Sequence, residues 1–186
     1  LIIIDESQDV DWSHWTKIEG KLLSDKSKLV CFMDSNQAIY RIAADLETRL
    51  RAKRITMRVN LRNTQKIGKV INNLYSGPLT SVCGPEGMEP RLTIVSDIDS
   101  AIVGICKELK KLNEEEVVDY SAMAVLSDNK DFVRKLQQSL KAAIIFNSPA
   151  KNRALNTLTV DTVFNFKGLE APFVFIFLDS DSGNSR

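Results

Sequence analysis

The sequence predicts an α/β protein with a mainly parallel sheet covered by helices on both faces, and three observations carry that reading. Short, very apolar runs alternate with longer stretches of helical periodicity. Most of the runs lack the polar alternation of a half-exposed sheet, which suits strands buried between layers. Several run directly into polar or acidic segments, as expected where strand carboxyl ends open into loops.

The strands are expected at Leu1–Ile4, Leu29–Met33, Ile55–Val59, Arg91–Val95, Ala122–Leu126, Ala143–Phe146, Leu158–Val160 and Phe173–Leu178. Three helical stripes lie between them. Ile67, Val70, Ile71 and Leu74 fall at i, i+3, i+4 and i+7, Ile102, Ile105, Cys106, Leu109 and Leu112 repeat the spacing, and Phe132, Val133, Leu136 and Leu140 form the third. Asn63, Asp97 or Asp99, and Asp128 stand where the N-caps of these helices belong. Ser76 to Pro90, with three Gly and three Pro, is the clearest loop.

Composition narrows the class. With 186 residues, 44% hydrophobic and 26% charged, the chain can bury a core of one or two domains. The apolar run Pro172 to Leu178 is far below the roughly 20 residues of a membrane span, so no membrane association is expected. Three cysteines, Cys31, Cys83 and Cys106, with no C-x-x-C spacing, argue for a reducing cytoplasm and against a disulfide framework. A single histidine, His14, leaves no material for a histidine triad or a zinc site.

Charge is balanced overall at +1 but unevenly laid out. Thr48 to Pro85 contains no acidic residue and holds Arg49, Arg51, Lys53, Arg54, Arg58, Arg62, Lys66 and Lys69, a candidate polyanion-facing stretch or a solvated basic face. A composition shift at Arg49 to Arg54 suggests a boundary between two lobes, 1–53 and 54–186. Because the chain opens on Leu1, Ile2, Ile3 and Ile4 without an initiator methionine, it is expected to be a fragment with an incomplete first lobe and an unpaired strand edge through which it would self-associate.

Four segments carry candidate chemistry. Asp5-Glu6-Ser7-Gln8-Asp9 follows the first apolar run, and two adjacent carboxylates there divide labour: Asp5 holds a hydrated Mg²⁺ at nucleotide phosphates while Glu6 orients or deprotonates a water. Asp34-Ser35-Asn36-Gln37-Ala38-Ile39-Tyr40 leaves the second strand, at the same sheet edge, with Gln37 able to bond a terminal phosphate. Asn60-Leu61-Arg62-Asn63-Thr64 links a strand to a helix, so that Arg62 can project as an arginine finger. Thr162 to Glu170 lies between two apolar strands, with Gly168 allowing close backbone approach to a ligand. Taken singly, each is equally an acidic loop, a surface arginine or an ordinary turn.

In this order the four segments resemble motifs II, III, IV and V of the UvrD/Rep-like superfamily I DNA helicases, with Lys167-Gly168-Leu169-Glu170 and the Gln-Ala-Ile-Tyr run the most specific. The similarity spans residues 1 to about 178 and is nearest the compact bacterial branch found with nuclease-related domains, in which an Arg-Asn-Thr motif precedes a helix and a Gly-Pro-Glu-Gly loop follows, here Gly84 to Gly87. It implies two RecA-like lobes, a P-loop NTPase fold, that clamp ATP with Mg²⁺ and track along single-stranded DNA or RNA. In that scheme Asp5 binds Mg²⁺ and Glu6 activates water. Gln37 couples the γ-phosphate to lobe movement and Arg62 stabilises transferred charge. Gln8, Tyr40, Gly168 and Glu170 complete the nucleotide site, Glu170 at the ribose, and Thr162, Phe164, Asn165 and Lys167 face the nucleic acid.

The sequence departs from the family pattern in several places. No G-x-x-x-x-G-K-[ST] phosphate loop occurs, and no arginine-bearing motif VI follows the last apolar run, so this stretch alone is expected to hydrolyse ATP poorly. Ile42 stands where the motif III aromatic is expected, and Phe164 where motif V has histidine; Phe164 and Phe166 then offer either stacking faces or core packing. About a hundred residues between Arg62 and Thr162 leave no room for the large second-lobe insertion of many relatives. Two other functions fit: a nucleic-acid-binding or regulatory module on a degenerate helicase fold, and an accessory motor of a nuclease or defence system.

Overall fold

The computed structural model describes residues 1–21, 23–24, 26–34, 48, 50, 53–74, 81–143, 145–152 and 156–179. It is a mixed α/β protein whose strand pairs are all parallel among the described residues. The chain divides into two compact units, Leu1–Pro90 and Arg91–Arg186.

The first unit begins with β1 (Ile2–Ile4), a 3-10 turn (Ser7–Asp9), α1 (Trp12–Lys21) and β2 (Leu29–Cys31). β1 and β2 pair in parallel, Ile2 opposite Leu29 and Ile4 opposite Cys31. The crossover between them is α1, a helix the apolar stripes do not announce because its sequence mixes Trp, His, Ser and Lys. It is started by Asp11, whose Oδ1 accepts from the backbone N–H groups of Ser13 and His14 at 2.8 and 3.1 Å. Fully buried Trp15 anchors it against Ile4, Ile18, Leu29 and Cys31. His14 is spent locally, its Nδ1 2.6 Å from Asp11 Oδ2.

β3 (Val59–Asn60) and β4 (Ser81–Val82) form a second parallel pair flanking α2 (Gln65–Leu74). β4 lies inside the stretch expected to be loop, and only the last residue of the Ile55–Val59 run enters a strand; residues 53–58 are exposed and belong to no helix or strand. α2 is capped by Thr64 rather than Asn63, its Oγ1 accepting from Ile67 N–H at 3.3 Å.

The second unit holds α3 (Ile98–Glu114), β5 (Met123–Ser127), α4 (Lys130–Ala142), β6 (Asn147–Ser148), β7 (Leu158–Thr162) and β8 (Phe173–Phe177). Its four strands lie in the order β6-β7-β5-β8. Asp97 caps α3, accepting from Ser100 N–H at 2.7 Å. α4 is capped by Asn129, not Asp128, its Oδ1 accepting from Asp131 and Phe132 N–H. Arg91–Val95 is not a strand: Leu92 and Ile94 are each 91% exposed, and a β-rich run with no neighbour to accept its backbone hydrogen bonds gains nothing from extension. Ala143–Phe146 likewise yields only the two-residue β6 just beyond it.

Both described α-helices of this unit pack on one face of its sheet, where the sequence predicts helices on both. Met123, Val125, Leu158 and Val160 meet Ile102, Leu109, Phe132, Leu136 and Leu140 there, with Phe173, Phe175 and Phe177 alongside. The other face carries a small cluster of Ala124, Leu126, Ala150 and Phe166, while Val174 and Ile176 on β8 stay exposed. No described helix is long and apolar enough to cross a membrane.

Candidate functional site

The acidic segment after β1 is tied to the end of β2 by a short polar ladder. Because β1 and β2 are parallel and in register, Asp5 and Asp34 emerge at the same sheet edge, as the sequence implies. The strand ladder continues through Phe32 N–H to Ile4 O at 2.8 Å. Buried Ser7 then donates both its backbone N–H and its Oγ–H to Phe32 O, each at 2.9 Å. Gln8, which the resemblance places at the nucleotide, is instead fully buried with its amide used inside the protein, Oε1 accepting Asp34 N–H at 3.0 Å and Nε2 donating to Glu6 Oε2.

Asp5 and Glu6 have different hydrogen-bond partners. Asp5 is exposed, and its Oδ1 accepts Glu6 N–H at 3.0 Å. Glu6 is half-buried in the left-handed region at φ 49°, ψ 40°, which turns its side chain back toward Gln8. Mg²⁺ keeps several waters and takes one or two carboxylates beside phosphate oxygens, so a single exposed carboxylate at a strand end suits it. No group of three or more His, Cys, Asp or Glu side chains with metal-binding geometry occurs among the described residues. Gln37, Tyr40 and Ile42 lie outside the described residues, as do Arg49 and Arg51.

Arg62 sits on a turn shaped by Asn60, whose Oδ1 accepts the backbone N–H of both Arg62 and Asn63 at 3.0 Å. This holds Arg62 exposed immediately before α2. The Gly84–Gly87 segment closes over the start of that helix: Gln65 N–H donates to Pro85 O at 2.8 Å and Lys66 N–H to Glu86 O at 3.2 Å, so two donors with no intrahelical acceptor are satisfied. A Cβ at position 84 would lie 2.0 Å from Asn63 O, which explains the glycine.

In the second unit, Thr162 to Glu170 forms a compact turn after β7. Thr162 Oγ1 accepts Asn165 N–H at 3.3 Å, and Thr162 O accepts Phe166 N–H at 3.2 Å. The two phenylalanines separate in fate: Phe166 is 8% exposed and packs with Ala124 and Leu126, whereas Phe164 is 62% exposed. Gly168 adopts φ 79°, open only to glycine at low cost, and leads to exposed Glu170. Lys167 is half-buried.

Two polar groups escape the motif reading. Asp161, 7% exposed, accepts Ala150 N–H at 2.9 Å, Thr162 N–H at 2.7 Å and Asn165 Nδ2 at 2.8 Å, drawing the turn after β6 to the turn after β7. Burial pushes its carboxyl up, but these hydrogen bonds, with Lys151 nearby, outweigh it and hold the carboxyl below its ordinary range. An acid inside an apolar strand was the available signal. Asn129, beyond β5, donates from Nδ2 to Asp179 Oδ2 at 2.9 Å, linking the carboxyl ends of β5 and β8; its distance in sequence from Asp179 hides that pairing.

No protein-family model matches the chain, and no curated protein matches it.

Proposed function

We propose that the chain belongs to an ATP-driven, UvrD/Rep-like superfamily I helicase or translocase that moves on single-stranded nucleic acid, with RecA-like lobes and a cytoplasmic site of action. The observation that carries this reading is the pair Asp5-Glu6 at the carboxyl end of a parallel strand, hydrogen-bonded through Gln8 to the segment leaving the adjacent strand. An exposed carboxylate suited to a hydrated Mg²⁺ stands next to a second carboxylate held at a different orientation, which is the minimum needed to polarise a phosphoryl group and direct a water at it. Bound Mg²⁺ with ATP would supply charge neutralisation on the phosphates. Asp5 would hold it, Glu6 would accept the proton of the attacking water, and exposed Arg62 would meet charge developing on the transferred group. Exposed Phe164 supplies an aromatic face for a base next to Thr162, Asn165 and Lys167. Glu170 fits a ribose hydroxyl as acceptor.

The test is ATP hydrolysis by the full-length protein with and without single-stranded DNA, wild type against Glu6→Gln. Turnover stimulated by DNA and lowered about 10²-fold or more by the substitution is expected, the scale of a lost general base. Wild-type protein that binds DNA without turnover would favour the regulatory module, which Ile42 and Phe164 at the expected DNA-contact positions allow.

A further inference from the structure

We infer that Gln8 is a positioning residue that joins the Glu6 carboxylate to the backbone of Asp34, so that the orientation of Glu6 follows the segment leaving β2. The inference rests on the reading of Glu6 as the water-directing carboxylate. Gln8 is fully buried, and both ends of its amide are used within the protein. The Asp34 N–H needs an acceptor, so Oε1 must face it, and this fixes Nε2 as a donor aimed at Glu6 Oε2. An amide in this slot has one satisfying orientation. Ser7 grips the same segment two residues earlier, through two bonds to Phe32 O, so the end of β2 and the Ser7–Asp9 turn move together. Glu6 itself occupies the left-handed region, where its own backbone preference would not keep it. The Gln8 amide is thus a buried, fixed donor that directs this carboxylate.

Two substitutions in the full-length protein separate orientation from simple tethering. Gln8→Met fills the buried space and removes both hydrogen bonds. Gln8→Glu keeps an acceptor for Asp34 N–H but replaces the donor facing Glu6 Oε2 with a second carboxylate, which repels Glu6 from the orientation the amide holds. Measured at pH 8 under saturating single-stranded DNA, kcat for ATP hydrolysis is expected to fall about 10²-fold in both variants, the scale of a misplaced catalytic group, while the nucleotide Kd stays within about threefold. Wild-type kcat in Gln8→Glu would reduce Gln8 to a tether and overturn the inference, as would parallel losses of kcat and nucleotide affinity. Should Gln8→Met fail to fold, Gln8→Glu decides. A wild-type protein without turnover refutes the helicase reading but not the link, which amide exchange then reads: Asp34 N–H protection lowered about tenfold or more in Gln8→Met, scaled to the lost hydrogen bond, supports it, and unchanged protection overturns it.

Discussion

Asp161 shows how one side chain can hold two turns together. Its carboxylate accepts three donors from two separate loops in a nearly buried position, so replacing one oxygen by an NH₂ group sets donor against donor. Asp161→Asn is expected to lower stability by about 1–3 kcal/mol, the range for an unsatisfied buried group. The sign of the pH dependence follows from the lowered carboxyl. A folded value below the unfolded one gives stability that is complete above the unfolded value and disappears as pH falls through the folded one. Urea midpoints of wild type should therefore drop more steeply on acidification below the ordinary aspartate range than those of Asp161→Asn; parallel curves would remove Asp161 from this role. Sequence patterns reached Asp5, Glu6, Arg62 and the Thr162–Glu170 turn because each stands next to an apolar run. They passed over Asp161, although an acid inside an apolar strand marks it, and could not reach the Asn129–Asp179 bond, since a hydrogen bond across fifty residues leaves no local periodicity.

At the level of elements, helices were more legible than short strands. The three amphipathic stripes all became helices within a few residues of their expected limits, because a sustained 3.6 period has few competing explanations. Strand limits depended on partners: Ile55–Val59 and Arg91–Val95 have strand composition, yet most of the first and all of the second lie outside any ladder. α1 was missed because its start is signalled by Asp11 and its anchoring by one tryptophan rather than by a stripe. The start of α2 offers a direct test. Gly84→Ala would push a methyl group against Asn63 O, which is backbone and cannot swing aside, and would displace the segment that satisfies Gln65 and Lys66 N–H. A loss of about 1–3 kcal/mol in chemical denaturation is expected, whereas Gly104→Ala, on α3 with open space at its Cβ, should be neutral or stabilising by about 0.5–1 kcal/mol.

At the scale of the whole molecule, near-neutrality conceals a long acid-free stretch. Lys53, Arg54 and Arg58 are exposed within it, in a segment outside any helix or strand. If the chain engages single-stranded DNA through this stretch, log Kd should vary linearly with log salt, with a slope of about 0.7 per phosphate neutralised. Arg58→Ala should then reduce the slope by about that amount and weaken binding to all sequences alike. Fluorescence anisotropy with labelled oligo(dT) across a salt series would read both, and an unchanged slope would exclude Arg58 from the interface. The parallel α/β character was legible from the apolar strands, but not the placement of both α3 and α4 on one face, which depends on strand order rather than on any single element.

The backbone of Glu6 has an evolutionary consequence. A non-glycine residue at φ 49° costs on the order of 1 kcal/mol relative to a residue at ease there, so selection for thermal tolerance alone would drift this position toward Gly or Asn. If Glu6 directs water as proposed, retention of glutamate marks selection for turnover at the expense of robustness, and descendants that had abandoned catalysis would relax this position first.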